Sequence, residues 1–185
     1  MKQKILLINL FLLPLMLFQA CGQTVTKKTE SKKNSMMENK INTSNNPYYS
    51  RTSQEKLTVS DAEWKKILPE NLYQVARKAD TERAFTGKLW NSETKGTYYC
   101  AVCGNKLFRS NQKFTSSCGW PSFFEQENTT SIVFKSDNSH GMQRTEALCG
   151  RCNSHLGHLF DDGPAPTRKR YCMNAVSLEF EPDTK

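Results

Sequence analysis

Between Ile5 and Phe18 every position is apolar except Asn9 and Pro14, and Lys2 and Lys4 precede the run. A bilayer span needs about 20 consecutive apolar residues. This shorter, broken run with a basic start predicts an export signal over residues 1–20. From Gly22 to Gln54 the pattern turns polar, with Lys, Ser, Thr and Asn dominant and aromatic residues only at Tyr48 and Tyr49. Such a stretch buries too little apolar surface to offset its ordering entropy, which predicts a flexible linker over residues 21–55. Apolar periodicity resumes near Leu57. Ser60-Asp61-Ala62-Glu63 fits a capping box, Trp64, Ile67 and Leu68 share one helical face, and Pro69 ends that helix. A second short helix runs through Leu72, Val75 and Ala76. After Thr97 the period changes to short aromatic and β-branched runs at Thr97–Val102, Lys106–Arg109, Ser131–Lys135, Arg144–Leu148, His155–Phe160 and Tyr171–Phe180. The expectation is helices first, then a mainly antiparallel β domain, over residues 56–182.

With 185 residues and 37% hydrophobic content, the chain suits one domain with appendages. Its formal charge of +8 first points to an anionic partner. Residues 1–60, however, hold nine Lys/Arg against three Asp/Glu, leaving 17 against 15 for the rest. The basicity therefore belongs to the tail, where it would also attract anionic lipid, and the folded region is expected to bind no nucleic acid. At the end of the apolar run, Leu17-Phe18-Gln19-Ala20-Cys21-Gly22 resembles a bacterial lipoprotein processing site, which would make Cys21 the lipid attachment point. Phe18 departs from the aliphatic residue usual there, so a plain secretory signal is the alternative. Either way the chain is expected to be exported, and with lipid on Cys21 it would be membrane-anchored, facing the periplasm or the cell exterior.

Seven cysteines sort by context. Cys100-Ala101-Val102-Cys103-Gly104 and Cys149-Gly150-Arg151-Cys152-Asn153 are CxxC knuckles, each followed by a residue that tolerates the left-handed backbone of a tight turn. Together they offer four thiolates to one structural zinc ion, joining two distant hairpins. A pair of disulfides is the alternative that an oxidising compartment permits. A thioredoxin-like redox pair is less compatible, because no βαβ pattern surrounds either knuckle.

Cys118 and Cys172 remain. Cys118 lies in Ser116-Ser117-Cys118-Gly119-Trp120-Pro121-Ser122-Phe123, a loop stiffened by proline. Cys172 starts a run in which Cys172, Asn174, Val176, Leu178 and Phe180 alternate onto one face, which would point the thiol toward the core's edge. Arg170 would share that face and favour the thiolate, with Lys169 and Arg168 adding positive field. By composition the two thiols could form a plain structural disulfide or a redox pair that makes and resolves a sulfenic acid. In an extended strand the odd separation of His155 and His158 would put their rings on opposite faces, so that at most one lines a site. A histidine beside a reactive thiol can protonate a departing oxygen. His140, in the turn-like Ser139-His140-Gly141, has the weakest case.

These residues together resemble the type B methionine-R-sulfoxide reductase family. The matching stretches, in family order, are Thr81–Gly87, the first knuckle, Ser117–Phe123, Ser139–Arg144, the second knuckle, His155–His158, Asp162–Pro164 and Arg170–Asn174. The resemblance implies a β-sandwich or barrel-like fold of two antiparallel sheets with short N-terminal helices and a four-cysteine zinc site on the side away from the active site. It implies Cys172 as the nucleophile, Cys118 as the resolving cysteine, Trp120 as the platform for the substrate methyl group, and His155, His158 and Asn174 lining the site. His158 is the first choice for proton donor, and Arg170 is the cation that favours the thiolate. The implied substrates are oxidised proteins and, weakly, free methionine R-sulfoxide; the implied reductant is thioredoxin-like, and the chain is expected to be a monomer. Ala175 stands where many relatives have serine and Asp161 where proline is common. The competing class is a surface-tethered zinc-ribbon binding module in which Cys118 and Cys172 are a staple.

Overall fold

The computed structural model describes residues 45–184. The expected export signal, Cys21 and the expected linker up to residue 44 lie outside the described residues. Among the described residues no helix is long and apolar enough to cross a membrane.

Helix α1 (Asp61–Ile67) starts where its Ser60 cap places it: the Glu63 amide donates to Ser60 Oγ at 3.2 Å, while the Glu63 carboxylate takes Lys66 and does not complete a capping box, and Asp61 and Glu63 occupy the electropositive first turn. Pro69, which has no amide proton to give, separates α1 from α2 (Glu70–Lys78). Trp64 and Leu72 carry these helices into the core and are each 1% exposed.

Nine strands follow: β1 (Gly96–Cys100), β2 (Lys106–Arg109), β3 (Lys113–Phe114), β4 (Ser122–Phe123), β5 (Ile132–Asp137), β6 (Arg144–Cys149), β7 (His155–Phe160), β8 (Arg170–Met173) and β9 (Leu178–Pro182). They form the two expected antiparallel sheets, ordered β2-β1-β9 and β3-β4-β8-β7-β6-β5. Aromatic rings join the sheets. Phe108 of β2 stacks on Phe123 of β4 at 4.0 Å, and Tyr98 of β1 meets Phe123 edge-on at 4.9 Å. Truncating one such buried ring costs about 3–5 kcal/mol, so this cluster outweighs the exposed ion pairs as the link between layers.

Three expectations are corrected here. The run Tyr171–Phe180 is not one strand: after β8 the chain bends through a 3-10 turn at Ala175–Ser177 and continues as β9 in the other sheet. Two-residue alternation therefore breaks between β8 and β9; within β8 Tyr171 and Met173 are buried and Arg170 and Cys172 take the less buried face. Cys172 consequently points away from the core, still on the same face as Arg170.

The linker expected to reach residue 55 is also shorter than its composition implies. Buried Arg151 donates to the backbone carbonyls of Tyr48 and Glu55 at 3.1 and 3.0 Å. Asn46 Nδ2 donates to the Val102 carbonyl at 2.8 Å, and the Tyr48 ring meets Trp64 edge-on at 5.2 Å. Hydrogen bonds to a buried guanidinium hold this polar segment, and composition carries no trace of them.

Candidate active site and metal centre

The two CxxC knuckles are near-copies. Gly104 and Asn153 both adopt left-handed backbone, at φ 78° and 55°, and their amides donate to the carbonyls of Cys100 and Cys149 at 2.8 and 2.9 Å. One knuckle lies in the β1–β2 hairpin and the other in the β6–β7 hairpin, so their four sulfurs meet between the two sheets. All four cysteines are buried, and the sulfurs lie within 4.8 Å of one another. Cys100–Cys152 and Cys103–Cys149 are separated by 3.8 and 3.6 Å. A tetrahedral ion with metal–sulfur bonds of about 2.3 Å would set its sulfurs about 3.8 Å apart, so the donor set fits a closed four-thiolate metal site. Every described cysteine is free.

Cys118 and Cys172 approach because short strands bring them together. β4 pairs with β8 so that Ser122 stands opposite Cys172, and the Met173 amide donates to the Pro121 carbonyl at 3.0 Å. The loop before β4 then carries Cys118 Sγ to 3.6 Å from Cys172 Sγ. Burial opposes ionisation of Cys118, but the hydroxyls of Ser116 and Ser122, 3.0 and 3.5 Å away, bring its pKa down to about 7. Burial pushes Cys172 the other way, up to about 12; the neighbouring Cys118 adds to this and Arg170 opposes it. The expected thiolate-favouring effect of Arg170 is thus present but outweighed in the resting pair. Its guanidinium already makes two 2.8 Å bonds to Asp162, and Lys169 is paired with Asp161, so little uncompensated positive field remains. Above about pH 7 the pair carries one negative charge, held mainly on Cys118.

His158 stands directly opposite Cys172 in the β7–β8 register, with both side chains on the same face. The rings of His155 and His158 were expected on opposite faces. Instead their centroids are 5.4 Å apart. The cause is a bulge: Ala147 pairs with Gly157 and Leu148 with His155, so Leu156 is an extra residue in β7 that resets the alternation. Each ring has its own carboxylate, His155 Nδ1 on Glu146 and His158 Nε2 on Asp137, both at 2.8 Å. Burial holds the His155 imidazole below its ordinary pKa despite Glu146, so the ring is neutral near pH 7, and its buried Nε2 has no partner. Asp137 also accepts from the Ser139 amide and from Arg144, which hold its carboxyl well below the usual range. The two histidines border a cavity of about 740 Å³ between the end of α2 and strands β5–β7. His140 is exposed, in a 3-10 turn at the rim.

Asn174, expected to line the site, is buried, at 3% exposed. Its Nδ2 donates to the Leu156 carbonyl at 3.2 Å and its Oδ1 accepts the Glu82 amide at 3.0 Å. Asn174 therefore braces the backbone beside Cys172 through one side-chain N–H and its carbonyl oxygen. Trp120 is half-buried, its indole N–H donating to the Glu82 carbonyl at 3.1 Å. Glu82, Glu146, Asp137, Ser116 and Ser122 are the members that sequence reasoning did not single out. Glu82 stood within the Thr81–Gly87 stretch, whose specificity was its only signal.

The SelR domain family matches residues 68–182. The peptide methionine sulfoxide reductase MsrB of Thiobacillus denitrificans is 53% identical over 123 residues, spanning 66% of this chain and 93% of that protein. The reductases of the same name from Acinetobacter baylyi and Methanosarcina barkeri are 49% and 50% identical over 130 and 129 residues, each spanning 70% of this chain and 94% and 91% of their own lengths. Among solved structures, the Mis18 'Yippee-like' domain matches with TM-score 0.41 and 17% identity, covering 49% of this chain and 99% of that one.

Proposed function

We infer, from the premise that this chain belongs to the SelR family and is a peptide methionine sulfoxide reductase, that Cys172 performs the reduction and Cys118 resolves it. The family membership covers the reaction, reduction of methionine sulfoxide in peptides and proteins. The residue roles are our reading, and the 3.6 Å approach of the two sulfurs carries it.

In this reading the Cys172 thiolate attacks the sulfoxide sulfur as an acid protonates the oxygen. An S–S bond forms, the protonated oxygen passes from the sulfoxide sulfur to the Cys172 sulfur as the S–S and original S–O bonds break, methionine leaves reduced by two electrons, and Cys172 is left oxidised as a sulfenic acid. The thiol pair's single negative charge, held mainly on Cys118, reaches Cys172 by proton exchange across the 3.6 Å contact, which supplies the attacking thiolate. His158, opposite Cys172 and held by Asp137, is the proton donor; neutral His155 is an acceptor through Nε2. Cys118 then attacks the sulfenic sulfur, a disulfide forms and water leaves. A thioredoxin-like dithiol restores both thiols. The methyl group rests on the Trp120 face, and the R epimer is the substrate, in proteins and more weakly as the free amino acid.

Cys100, Cys103, Cys149 and Cys152 would hold zinc, which supplies a structural cross-link between the sheets and, with four thiolates, no open position for a reactant. Export and lipid attachment at Cys21 belong to the same proposal, supported by the apolar run and the Leu17–Cys21 pattern; labelled fatty acid entering the wild type but not Cys21→Ser tests it. The chain is proposed to work as a monomer, which sedimentation tests. The zinc-ribbon binding module is not favoured, since relatives near 50% identity are reductases.

The deciding assay is dithiothreitol-dependent reduction of separated R and S epimers of a methionine sulfoxide peptide by the full chain and Cys172→Ser. R-selective turnover that disappears in the variant is expected; turnover surviving in Cys172→Ser would overturn the assignment.

A further inference from the structure

Glu82 lies in the segment between α2 and β1, outside any helix or strand. Its main chain and side chain reach two separate parts of the site. The amide donates to Asn174 Oδ1 at 3.0 Å, and the carbonyl accepts the Trp120 indole N–H at 3.1 Å. The carboxylate takes the amides of Ala175 and Val176 at 2.5 and 2.9 Å. One residue thus ties the loop carrying Trp120 to the turn that begins just beyond Cys172.

We propose that Glu82 is a positioning residue that sets the Trp120 ring against Cys172, so that a sulfoxide resting on the indole presents its sulfur to the thiolate. The proposal rests on Cys172 as nucleophile and Trp120 as platform.

The side-chain chemistry is specific. Two backbone amides open the Ala175–Ser177 turn and face one side chain, and a carboxylate accepts from both. A glutamine would present one acceptor and turn its own N–H toward the second donor. A shorter side chain would leave both amides without their partner. Gly87 closes the arrangement from the other side: a Cβ there would lie 2.3 Å from Ala175 Cβ and 3.1 Å from Glu82 Oε1. Glu82 and Ala175 therefore pack against Gly87 with no room to spare, and the Phe85 amide donates to the Gly119 carbonyl at 2.8 Å beside Trp120. The whole segment is fastened to the platform loop and to the turn after β8.

The test is a single turnover. Reduced full chain is mixed with excess methionine sulfoxide peptide and no reductant, and methionine formed per chain is followed by rapid quench for wild type, Glu82→Gln, Gly87→Ala and Cys172→Ser. Steady-state kcat and KM, metal content and thermal melting are measured alongside. Expected in both new variants is a burst slowed about tenfold or more, since a 1 Å misplacement can cost ~10²-fold. The loss should appear in kcat, with KM moved less than about twofold and metal content unchanged. A wild-type burst in folded Glu82→Gln would overturn the proposal, whatever its melting temperature. If Glu82→Gln does not fold, Gly87→Ala decides by the same burst. Failure of both to fold would also overturn it, making Glu82 a folding determinant. A missing burst in the wild type, or one retained in Cys172→Ser, would instead sink the nucleophile assignment.

Discussion

Cys118 Sγ stands 3.6 Å from Cys172 Sγ because Ser122, in the strand after the Cys118 loop, is paired across the sheet with Cys172. A disulfide bond of about 2.05 Å is within reach of side-chain adjustment from there. Cys118→Ser should therefore still produce one methionine per chain and accumulate a Cys172 sulfenic acid, detectable by dimedone labelling and mass spectrometry. Turnover with a dithiol protein should fall to background. Full turnover with that reductant would remove Cys118 from the reaction.

The pH dependence follows from the two directions of shift. The Cys118 pKa is lowered to about 7, so its thiolate is present above that pH and is lost as pH falls through it. Alkylation of reduced enzyme by iodoacetamide should modify Cys118 first, half-maximally near pH 7, and leave Cys172 largely untouched until far more alkaline solution. Ser116→Ala removes a hydroxyl 3.0 Å from the sulfur and should move the Cys118 profile upward. Peptide mapping of the alkylated sites checks both; preferential labelling of Cys172 at pH 7 would contradict the charge distribution.

Metal removal should affect the fold before the chemistry. The four cysteines join a hairpin of each sheet, so Cys152→Ser should lose most bound metal and melt at least 10 °C lower, in line with the several kcal/mol that a structural site contributes. Metal analysis and calorimetry on one preparation decide it; unchanged melting of a metal-free variant would show that the core alone holds the sheets.

At Gly157 the backbone is at φ 155°, and an added Cβ would lie 2.0 Å from the Cys172 carbonyl oxygen. Gly157→Ala must push β7 from β8 at the point where His158 faces Cys172. A loss on the order of 3 kcal/mol in stability, with activity falling more than tenfold, is expected. Urea unfolding and steady-state kinetics measure the two effects.

Arg151 is 6% exposed and serves the carbonyls of Tyr48, Ser50, Glu55 and Cys103. Arg151→Ala removes the side-chain donor from these carbonyls, of which Cys103 keeps the Ser50 amide, and should cost about 3 kcal/mol. Faster proteolysis within residues 46–56 should accompany it, and intact resistance there would mean that other contacts hold the segment.

Much of the molecule was legible in local pattern. Ser60 and Pro69 mark the helix boundaries because caps and missing amides act within one turn. The β2 and β7 boundaries at Lys106–Arg109 and His155–Phe160 were legible as short runs set off by turn residues, and the metal knuckles follow from CxxC spacing with a left-handed residue behind each.

What local pattern misread were features set by partners distant in the chain. The alternation through Tyr171–Phe180 continues smoothly on paper, yet the chain changes sheets at Asn174, because its amide is claimed by Leu156 and Glu82. The two histidines converge only because β7 bulges against β6, and the polar segment from Asn46 is ordered only because Arg151 is buried beneath it. Sequence by itself pointed to the two candidate thiols and the metal-ligand set through residue type and short spacing, and to the reaction class only through the ordered motifs of its family resemblance. Tertiary structure alone decided which way Cys172 points, how its charge is shared with Cys118, and that Glu82 lies against Asn174 across 92 positions of chain. Those depend on pairings whose energy exists only once the sheets have formed.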